Sequence, residues 1–244
     1  MPELPDVEGF RAVLARHGKW LIARTDGPAL LMHFGMTGEL RWADPGEPRH
    51  RHDRVIFVVD GGELRFRDMR KLQGITLAKG PADIDRVLAG LGPDALGIGP
   101  EEFGRALAKR DRPAGGRQAI GRAGGRQAGG RQAGGRQAVK AALIDQSVVA
   151  GLGNLLADEI LWRARIHPRR PVRELEPAEQ TRVHAQMRKV LGAAIPAGRV
   201  PVRAGWLTGH RDRDGGRCPR CGTVLMRDRI GGRTTVWCRS CQPW

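Results

Sequence analysis

Val7, Phe10, Val13 and Leu14 fall on one face of a 3.6-residue period, and this spacing predicts a helix over residues 6–17. Asp6, behind Pro5, can cap its start, and Gly18 ends it. The pattern then changes to short apolar runs. Trp20–Ala23 and Ala29–Phe34 flank the turn stretch Thr25-Asp26-Gly27 and predict a hairpin. Val55–Val59 and Leu64–Arg67 flank Asp60-Gly61-Gly62 and predict a second. Residues 1–80 therefore read as antiparallel β structure with one leading helix. Ile84, Val87, Leu88 and Leu91 return to helical spacing.

Beyond a mixed stretch, Gly-Gly-Arg-Gln-Ala occurs at 115–119, 124–128, 129–133 and 134–138. A five-residue period rich in glycine is too short for a solenoid unit and reads as a flexible cationic linker. Residues 140–195 are helical in pattern. One helix closes at Ala142-Leu143-Ile144, and Val148–Asn154 forms a buried turn. Leu155, Leu156, Ile160 and Leu161 open another helix, and an amphipathic helix runs from Pro177 to about Leu191. Residues 196–217, rich in Pro, Gly and Arg, read as loop.

Charge narrows the function classes. The 244 residues carry 42 Lys+Arg against 26 Asp+Glu, a formal charge of +16, and the expected partner of such a surface is a polyanion, nucleic acid first. No apolar run approaches the ~20 residues of a membrane span. Met1-Pro2-Glu3-Leu4-Pro5-Asp6 has two acids and no basic leader, so a cytoplasmic setting is expected, nucleoid-associated if the protein is bacterial. With no Tyr and few Phe and Trp, a broad stacking platform for single strands is disfavoured.

All four cysteines lie near the C-terminus, as Cys218-Pro-Arg-Cys221 and Cys238-Arg-Ser-Cys241. Two CxxC pairs sixteen residues apart are the pattern of a tetrahedral zinc site on two knuckles, with a disulfide pair as the alternative. Thr223–Met226 and Thr234–Trp237 read as the strands between them, joined by a turn at Arg229–Arg233. Four filled thiolate positions leave no open one, so the zinc is expected to be structural, one ion per chain. So small a segment would draw its folding free energy from the metal.

Three blocks in order carry a family resemblance. They are Pro2-Glu3-Leu4-Pro5-Asp6-Val7-Glu8; Asp145-Gln146 with Gly151-Leu152-Gly153-Asn154, Asp158-Glu159 and His167-Pro168; and the cysteine knuckle with Gly231-Gly232-Arg233-Thr234 ahead of Cys238. Together they resemble the formamidopyrimidine-DNA glycosylase / endonuclease VIII family of DNA repair enzymes. The resemblance implies a multi-domain α+β chain: a shortened N-terminal catalytic β-sandwich with its leading helix (1–92), a connecting segment (93–113), the linker (114–139), a helix-two-turn-helix DNA-binding domain (140–215) and a four-cysteine zinc finger (216–244). It implies a bifunctional DNA glycosylase and AP lyase acting as a monomer on double-stranded DNA with oxidised bases or abasic sites. Catalysis would fall to Pro2 as amine nucleophile, Glu3 as general acid/base and Lys19 at the sugar and phosphate. DNA would be held by Met36 filling the gap of an extruded base, Arg70 on the opposite base, and Leu72 where the family has a wedge Phe. Lys140, Asn154 and Arg233 would take phosphates, and Cys218, Cys221, Cys238 and Cys241 would take zinc.

The sequence departs from that pattern in two places. The family's segment between the first helix and the Gly18-Lys19-Trp20 strand is absent, so a sandwich short of strands is expected. The stretch Gly205–His210 is also unlike the better-known members, which leaves the lesion open. A catalytically silent relative that only grips damaged DNA remains the alternative. A generic zinc-ribbon RNA-binding protein would share the charge and the cysteines but leave Pro2-Glu3 and the Gly-Leu-Gly-Asn turn unexplained.

Overall fold

The computed structural model describes residues 15–25, 27–71, 74–109 and 137–244. The expected helix over 6–14, with Pro2 and Glu3 before it, Leu72 and nearly all of the repeats lie outside the described residues.

Residues 15–17, expected as the end of the first helix, are instead strand β1 (Ala15–His17), paired antiparallel with β2 (Trp20–Ala23). Gly18 does not stop a helix. It stands at φ +57 as the first residue of a two-residue hairpin loop, the position where glycine supplies the mirror-image turn that matches strand twist. Strands β3 (Ala29–His33), β4 (Glu39–Ala43), β5 (Asp53–Val59), β6 (Gly62–Arg67) and β7 (Ile75–Ala78) complete two antiparallel sheets, ordered β1-β2-β3-β7 and β4-β6-β5. Both expected hairpins are present, as β2–β3 and β5–β6. Strands β4 and β7 lie outside the sequence expectation.

Strand alternation builds two small cores around the first sheet. Leu21 and Met32 point to one face, where Phe34 stacks on Phe66 of the second sheet with centroids 5.8 Å apart. Ile22, Ala29, Leu31 and Ala78 point to the other, covered by Ile84 of helix α1 (Pro81–Leu88).

The rest is helical: α2 (Pro100–Lys109), α3 (Val139–Ile144), α4 (Asn154–Ala164) and α5 (Pro177–Ala194). Phe103, Ala106 and Leu107 lie at helical spacing on α2 and are buried, so the segment expected as a connection contributes to the helical core. That core runs without a break from Ala95 through Leu143, Leu156, Ile160, Met187 and Leu191 to Trp206. A capping box between Glu176 and Glu179 opens α5.

The cysteine segment forms a third body, a hairpin of β8 (Met226–Ile230) and β9 (Arg233–Trp237). Its strands differ from the expected ones in register. Arg229, Ile230 and Arg233 belong to the ladder, and the turn is the pair Gly231-Gly232, at φ +58 and +74. Two consecutive positive φ values demand glycine in such a loop. The body rests on α4 through Trp162, which packs with Leu207, Cys218, Val236 and Cys238.

Candidate nucleic-acid interface

Lys19 sits in the β1–β2 turn and is almost fully buried. That turn is fastened to the helical region. Arg16 makes a two-pronged ion pair with Asp94, the Gly18 amide donates to Asp94 Oδ2 at 2.7 Å, and His17 Nε2 lies 3.1 Å from the Gly92 carbonyl. A Cβ on Gly18 would stand 2.9 Å from Ala150 Cβ, so the turn carrying Lys19 lies directly on the turn that leads into α4. Burial opposes ionisation of Asp94, but the hydrogen bonds from Arg16, Gly18 and Leu96 outweigh it and hold the carboxyl below the usual carboxylate range. On β3, burial and the neighbouring Lys19 push the His33 imidazole down to about 4. His33 is thus neutral at pH 7, and its Nδ1 accepts the Gly35 amide at 3.0 Å.

Met36 and Arg70 come together at the other edge of the β region. Arg70 Nη1 lies 3.0 Å from Met36 Sδ. Their two loops are pinned by Asp68, buried at 2 % exposure, which accepts Thr37 Oγ1 and the Arg70 amide, the latter at 3.0 Å. The Met36 and Arg70 side chains are therefore presented from a braced base, with Arg70 exposed.

The turn before α4 is held by Asp145, which accepts the Ser147 amide and hydroxyl, and by Gln146. Gln146 Nε2 donates to Ile144 O and Leu152 O at 3.0 and 2.8 Å, and its Oε1 accepts the Gly151 amide at 3.0 Å. Gly151 stands at φ +113, which a side chain would strain. Asn154 then begins α4 behind Gly153, and its Nδ2 donates to Thr234 O of β9 at 2.9 Å. The hairpin tip reaches the same place, since a Cβ on Gly231 would lie 3.2 Å from Ala141 Cβ. Arg233, next to Thr234, is exposed beside this junction.

Lys140 is elsewhere than expected. It is fully buried, and its Nζ pairs with Asp158 and reaches Thr234 O at 3.4 Å. In this structure it braces the interior, whereas Arg233 is exposed. Asp158 also accepts Arg211 Nη2 at 3.0 Å and the Val236 amide at 3.2 Å. Burial pushes the Asp158 carboxyl up against the pull of Lys140 and Arg211. Glu159, one residue on, is buried beneath Arg163, whose Nε donates to it at 2.7 Å.

The four cysteine sulfurs lie within 4.8 Å of one another. A tetrahedral ion with thiolates at about 2.3 Å requires sulfurs about 3.8 Å apart. The closest approaches, 3.4 Å for Cys221 to Cys238, 3.5 Å for Cys221 to Cys241 and 3.9 Å for Cys218 to Cys241, lie around that value. The donor set therefore fits a metal ion. Trp162 Nε1 donates to Cys218 Sγ at 3.3 Å, and Gln242 Oε1 accepts the Cys238 amide at 3.0 Å.

Two family models match the chain: the formamidopyrimidine-DNA glycosylase N-terminal domain over residues 13–75 and the formamidopyrimidine-DNA glycosylase H2TH domain over residues 127–204. A formamidopyrimidine-DNA glycosylase of Symbiobacterium thermophilum is 36% identical over 244 aligned residues, covering 94% of this chain and 72% of the relative. The chain belongs to the formamidopyrimidine-DNA glycosylase family. The enzyme of that name from Acidothermus cellulolyticus is 31% identical, with 100% of this chain and 98% of the relative covered. Among solved structures, Lactococcus lactis formamidopyrimidine-DNA glycosylase non-covalently bound to DNA containing an AP site superposes with a TM-score of 0.74 at 26% identity, over 95% of this chain and 80% of that one. The Lactococcus enzyme in complex with a Fapy-dG-containing DNA gives 0.75 at 25% identity, over 95% of this chain and 81% of that one. The N-terminal β region, the helical H2TH region and the C-terminal cysteine cluster are those of the family. Among the described residues no helix is long and apolar enough to cross a membrane.

Within this family framework, sequence reading missed Asp94 and Arg211, and took Gln146 as part of a motif without its bracing role. Asp94 stands inside a recognisable turn, where a lone polar residue between glycines and apolar neighbours signals a backbone brace. Arg211 gives no signal, because nothing local separates it from the other arginines of its loop.

Proposed function

We propose that the chain is a bifunctional DNA glycosylase and AP lyase that removes oxidised bases from duplex DNA and cuts the resulting abasic site. The reading is carried by one observation besides family membership: the turn that carries Lys19 packs on the Ala150-Gly151 turn ahead of Asn154, and Asn154 bonds Thr234, next to Arg233. Named relatives and neighbours support it, since the Lactococcus enzyme is described with abasic-site DNA and with Fapy-dG DNA.

With Met1 removed, Pro2 would offer a secondary amine, and an α-amino group titrating near ~8 is partly unprotonated at neutral pH. Its attack on C1′ forms a C–N bond as the bond to the damaged base breaks. The opened sugar then holds an iminium. That cation draws electrons from C2′, the C2′ proton is lost, and the 3′-phosphate leaves by β-elimination. Water hydrolyses the iminium and frees the amine. Glu3 would pass protons at the sugar oxygen, and Lys19 would face the sugar and phosphate. Met36 would fill the space of the extruded nucleotide while Arg70 meets the opposite base. Asn154 and Arg233 would clamp phosphate, and zinc on Cys218, Cys221, Cys238 and Cys241 would hold the Arg233 hairpin in shape.

The test is borohydride trapping on a duplex with an abasic site. A covalent adduct is expected from the intact protein and not from Pro2→Gly. Binding without any adduct would overturn the lyase assignment and leave a damaged-DNA-binding relative.

A further inference from the structure

Three side chains from three separate segments donate to one backbone oxygen. Thr234 O receives Asn154 Nδ2 at 2.9 Å, Arg211 Nη2 at 3.3 Å and Lys140 Nζ at 3.4 Å. Behind them Asp158 binds Lys140 and Arg211 with its two carboxylate oxygens and takes the Val236 amide as well. The cluster joins α3, α4, β9 and the loop after α5. All three charged residues are buried: Lys140 and Asp158 at 0 and 1 % exposure, Arg211 at 6 %. The second guanidinium nitrogen of Arg211 reaches Asp212 at 3.4 Å, and its carbonyl accepts Arg227. Arg211 is thereby tied to both strands of the hairpin.

The consequence concerns Asn154. Its amide nitrogen has two hydrogens, and Thr234 O takes one, which fixes the amide plane and leaves the second for an acceptor outside. A flipped amide would set Oδ1 against Thr234 O at hydrogen-bond distance, two acceptors facing each other. Asn154 Oδ1 is buried without a partner among the described residues, so a single contact holds the group in its orientation. The direction of that contact depends on where Thr234 O is held, and Arg211 with Asp158 and Lys140 holds it. Removal of Arg211 would leave Asp158 half-paired in the interior and free the carbonyl to move.

We propose that Arg211 is a positioning residue for phosphate binding. Acting through Thr234 O, it orients the Asn154 amide and sets the base of the strand that presents Arg233. The proposal rests on the reading of Asn154 as a phosphate contact. It also gives a role to a residue that directly follows the stretch where the sequence departs from the better-known family members.

The test uses the full zinc-loaded chain and two readouts. The first is the side-chain amide resonance pair of Asn154 without DNA, which should move or broaden in Arg211→Met. The second is affinity for a duplex carrying a tetrahydrofuran abasic analogue. Arg211→Met and Asn154→Ala should each weaken binding about tenfold, and the double variant should be within about threefold of Asn154→Ala alone, because coupled residues do not add. Arg211→Lys retains the pairing with Asp158 and should recover affinity to within about threefold of the unaltered chain, with a smaller shift of the Asn154 resonance. An unmoved Asn154 resonance together with additive losses would overturn the proposal. If Arg211→Met fails to load zinc, Arg211→Gln takes its place in both readouts, and an unmoved resonance with additive losses is equally fatal. Failure of the unaltered chain to bind the duplex would sink the phosphate-clamp reading itself. The resonance would then still report whether Arg211 orients Asn154.

Discussion

The β region and the helical region are built on opposite plans. In the helical region a single apolar cluster runs unbroken from Ala95 to Trp206, and the charges inside it are matched around Asp158 and Glu159. The β region divides its apolar residues between the two faces of a thin sheet, around Leu21 and Phe66 on one side and Leu31 and Ala78 on the other. Arginine networks supply much of its remaining order. Arg65, at 1 % exposure, is held by Glu63, Pro48 O and Glu47 O, and Arg67 by Asp53. A continuous core resists local opening, whereas split cores joined by polar contacts open in pieces. The side chains expected to meet the extruded base and its partner, Met36 and Arg70, lie on the looser region. The junction at Asn154, expected to take phosphate, is built on the firmer.

The largest effect that would sharpen this contrast lies in the cysteine body, which has little core of its own. Cys238→Ser should abolish stoichiometric metal binding, seen by elemental analysis, and cut DNA affinity by at least about a hundredfold, since structural zinc contributes on the order of 10 kcal/mol to so small a fold. Full affinity without metal would break the view that the hairpin depends on it. Next, Leu156→Ala in the continuous core should cost about 4 kcal/mol in urea unfolding, and Leu31→Ala in the split core about 2–3 kcal/mol, because a thin core relaxes around a cavity more easily. Equal costs would remove the distinction.

Acid should act on the β region first. The folded pKa of His33 is about 4 and the ordinary value 6.5. As pH falls below 6.5 the unfolded chain binds the proton before the folded one does, so stability is full above 6.5 and drains away down to about pH 4. The loss should approach about 3 kcal/mol. It is measured as a shift in the urea midpoint, and His33→Gln should flatten it. The smallest effect is expected at the exposed pair of Arg86 and Asp83 on α1, 2.7 Å apart. Arg86→Ala should change stability by no more than about 0.5 kcal/mol, and a larger loss would show that the edge of the β region depends on surface charge.

Much of the framework could be read locally. The hairpins β2–β3 and β5–β6, the turn from Val148 to Asn154, helices α4 and α5 and the cysteine cluster all stand where the pattern put them. Each is specified by neighbours in the chain: a two- or 3.6-residue period, a glycine at a reversal, or two CxxC pairs. The misplacements have a common cause. Ala15–His17 continues a helical spacing but pairs with β2, because Gly18 admits a tight reversal. In the cysteine hairpin the glycine pair, not the apolar run, sets the register.

Composition, periodicity and cysteine spacing determined by themselves that this is a basic, mixed α and β chain ending in a thiolate cluster, because those properties depend on residue type and near neighbours. Only the tertiary structure decided that Lys140 faces inward onto Asp158, that Asp94 binds the Lys19 turn to the helical region, and that Arg211 shares one carbonyl with Asn154. A charged side chain has the same local signature on a surface as in an interior. Its partner lies tens of residues away, and burial without that partner would be too costly to persist.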